Sequence, residues 1–434
     1  MADFTRYFNA VRFLEGLSNV RGKDYMNDRK NPEVYLKRMR YFLDLLGKPE
    51  RGMQFVHITG TAGKGSVSNM VHAMLGASGR RAGLPRRNSQ VKAGLFTSPF
   101  STTSIEKIKV GGTYISPDAF ADIVENMKPA IDEAYAKGPY GGPSYFEIFL
   151  AMALVYFKRE RCTWAVLEVG CGGRYDATNV IRNPRVTAIT NIDYDHTHIL
   201  GKTLKKIAWD KAGIVKPGAR FFTTETRPHL LEIFKRICAE KSVRGEFLGV
   251  RGLSAQEKNA VLARSIGSAL GLSDSAIEKG IASARMPCRF ELMQKGPAVI
   301  LDGAHSPVKM RSTAEQASAL AYRKLILVVA IADNKDTSET LEAIIPLADT
   351  IIFTRFENER KCADPKRLAG ESAPFRKKSA GIAFRYDPLQ ALQKAMKEAG
   401  KDDLILVTGS FFLAGELRKK WYPEEWVLKH RRSK

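Results

Sequence analysis

The sequence predicts an α/β protein: a mainly parallel sheet covered on both faces, followed by a second, smaller βα-repeating unit. Three observations carry that reading. Short apolar runs of strand length alternate with amphipathic stretches of helical spacing. A glycine-rich turn, Gly60 to Gly65, lies between the first such strand and the helix after it. The alternation restarts near Met286 and continues almost to the end of the chain.

Taken in order, Pro32 to Leu46 places Leu36, Met39, Phe42, Leu43 and Leu46 along one side of a helix, and Gly47, Lys48 and Pro49 stop it. Met53 to Thr59 reads as a strand, and a helix follows from Lys64 to Ala77. Residues 79–93 are basic and turn-rich and read as an exposed loop. Phe146 to Phe157 is apolar on all sides, as in a buried helix, and Trp164 to Val169 is a buried strand. Val186 to Ile192 is another strand and Leu204 to Ala212 a helix. Past a boundary at Ala284 to Pro287, strands are predicted at Ala298 to Leu301, Leu325 to Ile331, Thr350 to Thr354, Ile382 to Tyr386 and Leu404 to Thr408. Helices such as Ser338 to Leu347 and Pro388 to Ala399 fill the gaps. The predicted units are residues 1–285 and 286–434.

Composition narrows the class. With 434 residues, 44% hydrophobic and 26% charged, the chain is an ordinary folded protein of two or three domains. No apolar run approaches the ~20 residues of a bilayer-spanning helix, and the N-terminus has no secretory pattern. The five cysteines (Cys162, Cys171, Cys238, Cys288, Cys362) form no CxxC pair, so structural zinc is not expected and the reducing cytoplasm is. The formal charge of +23 suits anionic partners. The chain carries no RRM-type aromatic motif or zinc-finger spacing, so a solvated basic surface is preferred to nucleic-acid binding.

The sharpest local signal is His57-Ile58-Thr59-Gly60-Thr61-Ala62-Gly63-Lys64-Gly65-Ser66. Glycines let a backbone fold tightly enough to aim several N–H groups at one anion, and the helix start adds its positive end. Lys64 supplies a mobile charge for phosphates. Gly65 stands between Lys64 and Ser66, where the common pattern has Ser or Thr directly after Lys. A plain glycine-rich βα turn is the competing reading.

Three further segments are polar where a buried strand ends: Glu168 to Asn179, Asn191 to Thr197 and Asp210 to Lys216. Ligands of open α/β sheets collect there. A carboxylate, an imidazole and a hydroxyl can complete a Mg²⁺ shell beside ATP oxygens, since Mg²⁺ keeps few protein ligands. Against this, Glu168 could pair with Arg174, His196 could sit at a helix N-terminus, and Lys211 could be a surface lysine. A buried lysine beside Mg²⁺ would repel the ion or lose its proton.

With these segments in view, the chain resembles folylpolyglutamate synthases/dihydrofolate synthases of the Mur ligase superfamily, from about residue 34 to 420. The motifs occur in order: Gly60 to Ser66; Gly94-Leu95-Phe96-Thr97-Ser98-Pro99; Tyr145-Phe146-Glu147; Glu168 to Asn179; Asp195 to Lys216; Asp302-Gly303-Ala304-His305; and Thr408-Gly409-Ser410. The resemblance implies a P-loop ATPase domain, a C-terminal Rossmann-like domain and an active site between them. It implies ATP-dependent addition of L-glutamate to a folate or dihydropteroate carboxylate, by a monomer. ATP would be bound by Gly60, Thr61, Gly63, Lys64, Gly65, Ser66, Asn259, Arg289 and Asp302. Mg²⁺ would be held by Ser98, Glu168 and His196, and Lys211, as a carbamate formed with CO₂, would help bind a second Mg²⁺. Ser144, Tyr145, Phe146 and Glu147 would contact the folate, and His305 and Ser410 the glutamate.

The chain departs from the family pattern at Ala62 (often asparagine), Phe100 (histidine), Lys107 (arginine), Cys288 (glycine) and Ser306 (asparagine). Most of these touch the folate or glutamate ends and leave the phosphate chemistry intact. Two other readings stay open at this level. One is a peptidoglycan-precursor Mur ligase, although the 59 residues before Gly60 are too few for the usual UDP-sugar domain. The other is a P-loop protein that binds nucleotide without ligation.

Overall fold

The structure, a computed structural model, describes residues 3–18, 31–78, 91–357 and 362–432. The basic stretch predicted at 79–93 lies largely outside them. Only its last three residues are described, and Val91 and Ala93 are buried there.

Two sheets form the frame. The first contains β1 (Gln54–Thr59), β2 (Ala93–Phe96), β3 (Ile108–Val110), β4 (Thr113–Tyr114), β5 (Trp164–Glu168), β6 (Pro184–Ile189), β7 (Arg220–Thr223) and β8 (Arg244–Phe247), in the order 4-3-2-5-1-6-7-8. Strands 2, 5, 1, 6, 7 and 8 run parallel, and β3 and β4 add an antiparallel edge. The second contains β9 (Glu291–Lys295), β10 (Ala298–Leu301), β11 (Leu325–Val329), β12 (Thr350–Phe353), β13 (Gly381–Phe384) and β14 (Leu404–Thr408), in the order 13-12-11-14-10-9. It too is parallel except at β9.

The central strand β1 shows why this sequence makes a doubly covered sheet. Alternate side chains point to opposite faces. Val56 and Ile58 join Val67, Val71, Met74 and Leu75 of the Lys64–Ala77 helix in one core. Phe55 faces the other core, built on the Tyr145–Arg159 helix through Phe149, Leu150 and Phe157. That helix starts at a capping box: Ser144 Oγ accepts from the Glu147 N–H, and Glu147 accepts from the Ser144 N–H.

β1 is also where the connections change direction. β5 and β2 lie on one side of it, and β6, β7 and β8 on the other. The crevice outside its carboxyl end is the topological switch point, where open α/β sheets bind ligands.

The predicted strands and helices named above form with ends shifted by a few residues, except that the helix expected at Ser338 to Leu347 stops at Glu342 and is followed by a separate 3₁₀ turn, Ile345–Leu347. The sequence reading passed over β2, β3, β4, β7, β8 and β9, and the helices Thr5–Ser18, Pro117–Lys137, Pro228–Glu240, Ala255–Ala269 and Asp274–Ser283. The last segment of the chain leaves the second sheet altogether. Val427 and Leu428 are buried in the first half's core with Phe120. The Tyr114 N–H donates to Arg431 O at 2.8 Å, and Arg431 Nε donates back to Tyr114 O at 2.9 Å. All five cysteines are free thiols, and among the described residues no helix is long and apolar enough to cross a membrane.

Candidate active site

The turn after β1 is held from outside. Gly60 has φ +149°, and a Cβ there would lie 1.8 Å from Thr190 Oγ1 at the end of β6. Gly63 has φ +83°, and a Cβ would lie 2.3 Å from Asn259 Oδ1. These two positions require glycine for space and, at Gly63, for a left-handed backbone. Between them the exit of β6 pins the loop. The Thr61 N–H donates to Asn191 O at 3.0 Å, the Ala62 N–H to Asn191 Oδ1 at 2.8 Å, and Thr190 Oγ1 to Ala62 O at 2.5 Å. The Lys64–Ala77 helix begins at once, so its unpaired N–H groups and positive end face the same opening as Lys64.

Glu168 is the last residue of β5 and is buried. Its Oε2 accepts from the Ser98 N–H at 3.2 Å and would lie 3.3 Å from a Cβ on Gly65, directly over the helix start. Burial pushes its carboxyl above the ordinary range; Lys64, the Ser98 N–H, Arg289 and Lys309 offset part of that. No salt bridge with Arg174 forms. Arg174 instead lies 3.7 Å over the Trp209 ring and donates to Trp209 O.

His196 follows β6 with φ +50° and stands before the short Thr197–Leu200 helix, but its side chain makes no capping bond. The imidazole is partly exposed. Burial of the remainder, with Lys335, Lys64 and Lys309 nearby, pushes it down to about 4 against the pull of Asp195. The ring is therefore neutral near pH 7, with a lone pair available.

Lys211 closes the Leu204–Lys211 helix and is 3% exposed, so it is no surface lysine. Its Nζ donates to Gly60 O at 2.9 Å. Burial, then Lys64, pushes its ammonium down to about 8.

The second half of the chain supplies the opposite wall. The link between the halves passes over the P-loop: Met286 Cε would lie 2.5 Å from a Cβ on Gly65. Arg289 stacks on Phe411 at 4.8 Å, with Cys288 buried beside it. Asp302 is occupied locally, accepting from the Phe290 N–H, the Ala304 N–H and Thr313 Oγ1 at 2.7–2.8 Å. It shapes the loop that carries His305. His305 Nδ1 donates to Gly303 O at 2.7 Å, and its Nε2 lies 3.0 Å from Lys309 Nζ. Ser306 Oγ is buried with no hydrogen-bond partner. Ser410 caps the Phe411–Arg418 helix, its Oγ accepting from the Phe412 N–H.

The four residues at 144–147 divide. Ser144 and Glu147 are committed to the capping box, and Glu147, wholly buried, also pairs with Arg38 at 2.9 Å. Tyr145 and Phe146 remain half-buried, Phe146 against Phe96 at 5.6 Å. Beneath Tyr145, Lys107 is sleeved by aromatic rings, 3.6 Å from the Phe149 centroid, 4.2 Å from Tyr145 and 5.1 Å from Phe100.

Sequence reasoning marked the segment that holds Asn191 and Asp195 but gave neither a role, and it missed Thr190, which braces the turn with Asn191, and Lys309 and Lys335, which face Asp195 across the crevice. Lys309 and Lys335 each lie 3.4 Å from Asp195. The polar run Asp333-Asn334-Lys335-Asp336 follows β11 and obeys the same strand-end rule that singled out Glu168. Lys309, inside a helix, had no such signal.

Among the described residues no three His, Cys, Asp or Glu side chains gather into a protein-only metal cage. A buried carboxylate with a neutral imidazole and a hydroxyl on neighbouring strand ends fits Mg²⁺, which takes its remaining ligands from water and phosphate.

Residues 288–411 match the family described as Mur ligase, glutamate ligase domain. A Mycobacterium tuberculosis dihydrofolate synthase/folylpolyglutamate synthase is 31% identical, over 91% of this chain and 92% of that protein. The structure of Mycobacterium tuberculosis folylpolyglutamate synthase complexed with ADP matches with a TM-score of 0.84 at 26% identity, covering 97% of this chain and 99% of that one. E. coli FolC in complex with DHPP and ADP matches with a TM-score of 0.78 at 25% identity, covering 98% of both.

Proposed function

The chain belongs to the dihydrofolate synthase/folylpolyglutamate synthase family, and on that premise we propose that it is an ATP-dependent ligase joining L-glutamate to the carboxylate of a folate or of dihydropteroate. One observation carries the reading. The anion cradle at Gly60 to Ser66, the buried Glu168 and Lys211, and a second wall of cations all meet at the carboxyl end of β1.

The reaction has two steps. A carboxylate oxygen of the acceptor attacks the γ-phosphorus; the bond to the ADP oxygen breaks and an acyl phosphate forms. The glutamate amine, after losing a proton, attacks the acyl carbon. The C–N bond forms, the bond to the phosphate oxygen breaks, and phosphate leaves. The loop N–H groups and Lys64 hold the triphosphate in line and offset the charge spread over the transferring group. Arg289 reaches the nucleotide from the second half, and Asn259 backs the turn. Asp302 acts on the nucleotide side by accepting from the Phe290 N–H, next to Arg289.

When bound, Mg²⁺ supplies Lewis-acid compensation at the phosphate oxygens. Ser98, Glu168, His196 and Lys211 are the residues suited to hold it. Lys211 serves as its carbamate. The neutral amine attacks CO₂, an N–C bond forms and a proton leaves, converting a cation that would repel the metal into an anion that binds it. Burial of Lys211 and its lowered ammonium favour that chemistry.

Tyr145 and Phe146 offer aromatic faces to the acceptor ring, with Ser144 and Glu147 fixing the helix start that presents them. His305, with Ser410 nearby in the second half, takes the incoming glutamate. Closing the two walls excludes water, which would hydrolyse the acyl phosphate.

The test is ADP release measured with dihydropteroate, folate and UDP-muramoyl acceptors, each with and without glutamate. Release that needs a pteridine acceptor and glutamate together is the expected result. Release with a UDP-muramoyl acceptor, or binding of ATP without amide formation, overturns the reading.

A further inference from the structure

Lys309 is the third residue of the Pro307–Ser318 helix. Its side chain is 16% exposed, and its ammonium lies 3.0 Å from His305 Nε2 and 3.4 Å from Asp195 Oδ2. His305 is no counter-charge. Its Nδ1 faces the Gly303 carbonyl, which can only accept, so Nδ1 holds the proton and Nε2 is a neutral acceptor. Asp195 is the carboxylate in ion-pair range, and it is shared with Lys335, also at 3.4 Å, and with His196 at 3.7 Å. A charge-assisted bond closes to about 2.7–2.9 Å. Lys309 is therefore held near Asp195 without being tightly paired to it.

The surroundings are short of negative charge. Around Lys309 stand three cations, Lys64, Arg289 and Lys335, and one carboxylate, Asp195; burial and those cations push the Lys309 ammonium down to about 7 against the pull of Asp195, so an anion that reaches it restores its charge. Lys309 feels the charges of Lys64 and Arg289, and its own is felt at Glu168. It thus lies within Coulomb range of the phosphate cradle while belonging to the wall that carries His305. Such an excess in a buried crevice is relieved by a multiply charged anion. Lys64 and Arg289 already answer to the nucleotide. Lys309 stands between the cradle and the glutamate end, the interval that the phosphoryl group crosses.

We propose that Lys309 is a further catalytic residue: its ammonium, kept in place by His305 and Asp195, contacts the phosphoryl group during transfer to the acceptor carboxylate and holds the resulting acyl phosphate until the amine attacks. No proton moves in the transfer itself. The P–O bond to ADP breaks, the P–O bond to the carboxylate forms, and the ammonium offsets charge on the non-bridging oxygens. This rests on the ligase reading, so wild-type protein is assayed first. Absence of glutamate- and pteridine-dependent amide formation there refutes that reading, whatever the variants do.

The test compares Lys309→Met, Lys309→Arg and Lys335→Met. Lys335 makes the same 3.4 Å contact with Asp195 but is not bonded to His305. ADP binding by titration reports the integrity of the cradle, and kcat and the ratio of phosphate released to amide formed report the chemistry. Losing one preorganised donor to developing charge costs about 10²–10³ in kcat. Lys309→Met is expected to lose that much, keep ADP affinity within about threefold of wild type, and release more than one phosphate per amide. Lys309→Arg should recover at least tenfold of the loss, and Lys335→Met should lose less than tenfold. Equal losses in the Lys309→Met and Lys335→Met variants, with phosphate and amide still matched, would show a mere inter-domain latch and overturn the proposal. If Lys309→Met does not fold, the arginine variant decides: wild-type coupling supports the proposal, and uncoupled phosphate release with intact ADP binding overturns it.

Discussion

Lys64 and Lys211 donate to the same backbone oxygen, Gly60 O, at 3.0 and 2.9 Å. Two ammonium groups on one carbonyl in a buried place repel each other, and the inner one yields: Lys211 is pushed down to about 8, by burial first and Lys64 second. The pairing ties the phosphate lysine to the lysine proposed to carry CO₂. Lys211→Ala is expected to keep ADP binding and lose about 10²–10³ in kcat, the scale for one missing electrostatic group. A short-chain carboxylic acid should restore part of it by supplying the missing anion. Lys64→Ala should lose ATP turnover with no such rescue. Intact-mass measurement of active enzyme finding only unmodified Lys211 would end the carbamate assignment.

The same lysine gives a pH dependence whose sign can be worked out. Its folded value, about 8, lies below the ordinary value of 10.5. Between those values the unfolded chain binds more protons than the folded one, so CO₂-free protein should gain stability as pH rises from about 8 to 10.5. Below pH 8 the reactive neutral amine is the minor form, and each unit costs about tenfold in its population. Protein stripped of CO₂ and returned to bicarbonate should therefore recover activity several-fold faster at pH 8.5 than at pH 7, after correction for dissolved CO₂. Equal recovery rates would count against Lys211 as the site.

Gly63 is the second test of the cradle. Alanine there meets Asn259 Oδ1 at 2.3 Å and must hold φ +83°. The left-handed backbone alone costs about 1–2 kcal/mol. Gly63→Ala should raise the ADP dissociation constant at least tenfold by tilting the loop N–H groups. Adding Asn259→Ala should return only the steric part. Gly218 is a useful comparison, since it has φ +79° but open space around it. Gly218→Ala should lower stability without weakening ADP.

How much of this was legible in the sequence depended on range. The βα unit at 54–77 could be read because its signals are local: a buried strand, two glycines that nothing else could replace, and a helix start. Glu168 and His196 were legible as polar residues at or just past strand ends, whereas Lys211, expected at one, closes a helix instead; the competing readings of all three could be judged only in three dimensions. Arg174 turned out to stack on Trp209, and Lys211 turned out to be buried. Ser144 and Glu147 show the opposite case. The resemblance assigned them to ligand, while S-x-x-E before an apolar run is also a capping box, and the structure makes one. β3 and β4 are two to three residues long and β9 is an edge strand with few apolar residues, so periodicity could not show them. Asp195 with Lys309 and Lys335 is a contact between residues more than a hundred apart, and nothing in local pattern encodes it.

The two halves are also joined at a buried arginine away from the cradle. Arg418 is fully buried, forked onto Glu291 at 2.9–3.1 Å, bonded to Thr102 Oγ1 at 2.8 Å and 3.6 Å from Glu106 Oε1. Glu106 in turn accepts from the Ser101 and Thr102 N–H groups, and a Cβ on Gly415 would lie 2.1 Å from Ser101 O. The helix Phe411–Arg418 is thus pressed against the loop after Pro99, which leads from Ser98. Removing one partner of such a cluster leaves carboxylates buried without their charge and costs about 3–5 kcal/mol. Arg418→Met should lower the urea midpoint accordingly. It touches no phosphate-binding residue, so ADP affinity under native conditions should stay within about threefold, while kcat falls because the second wall is no longer held in register. A midpoint change worth less than about 1 kcal/mol would place Arg418 with ordinary surface pairs and remove this clamp from the account of domain closure.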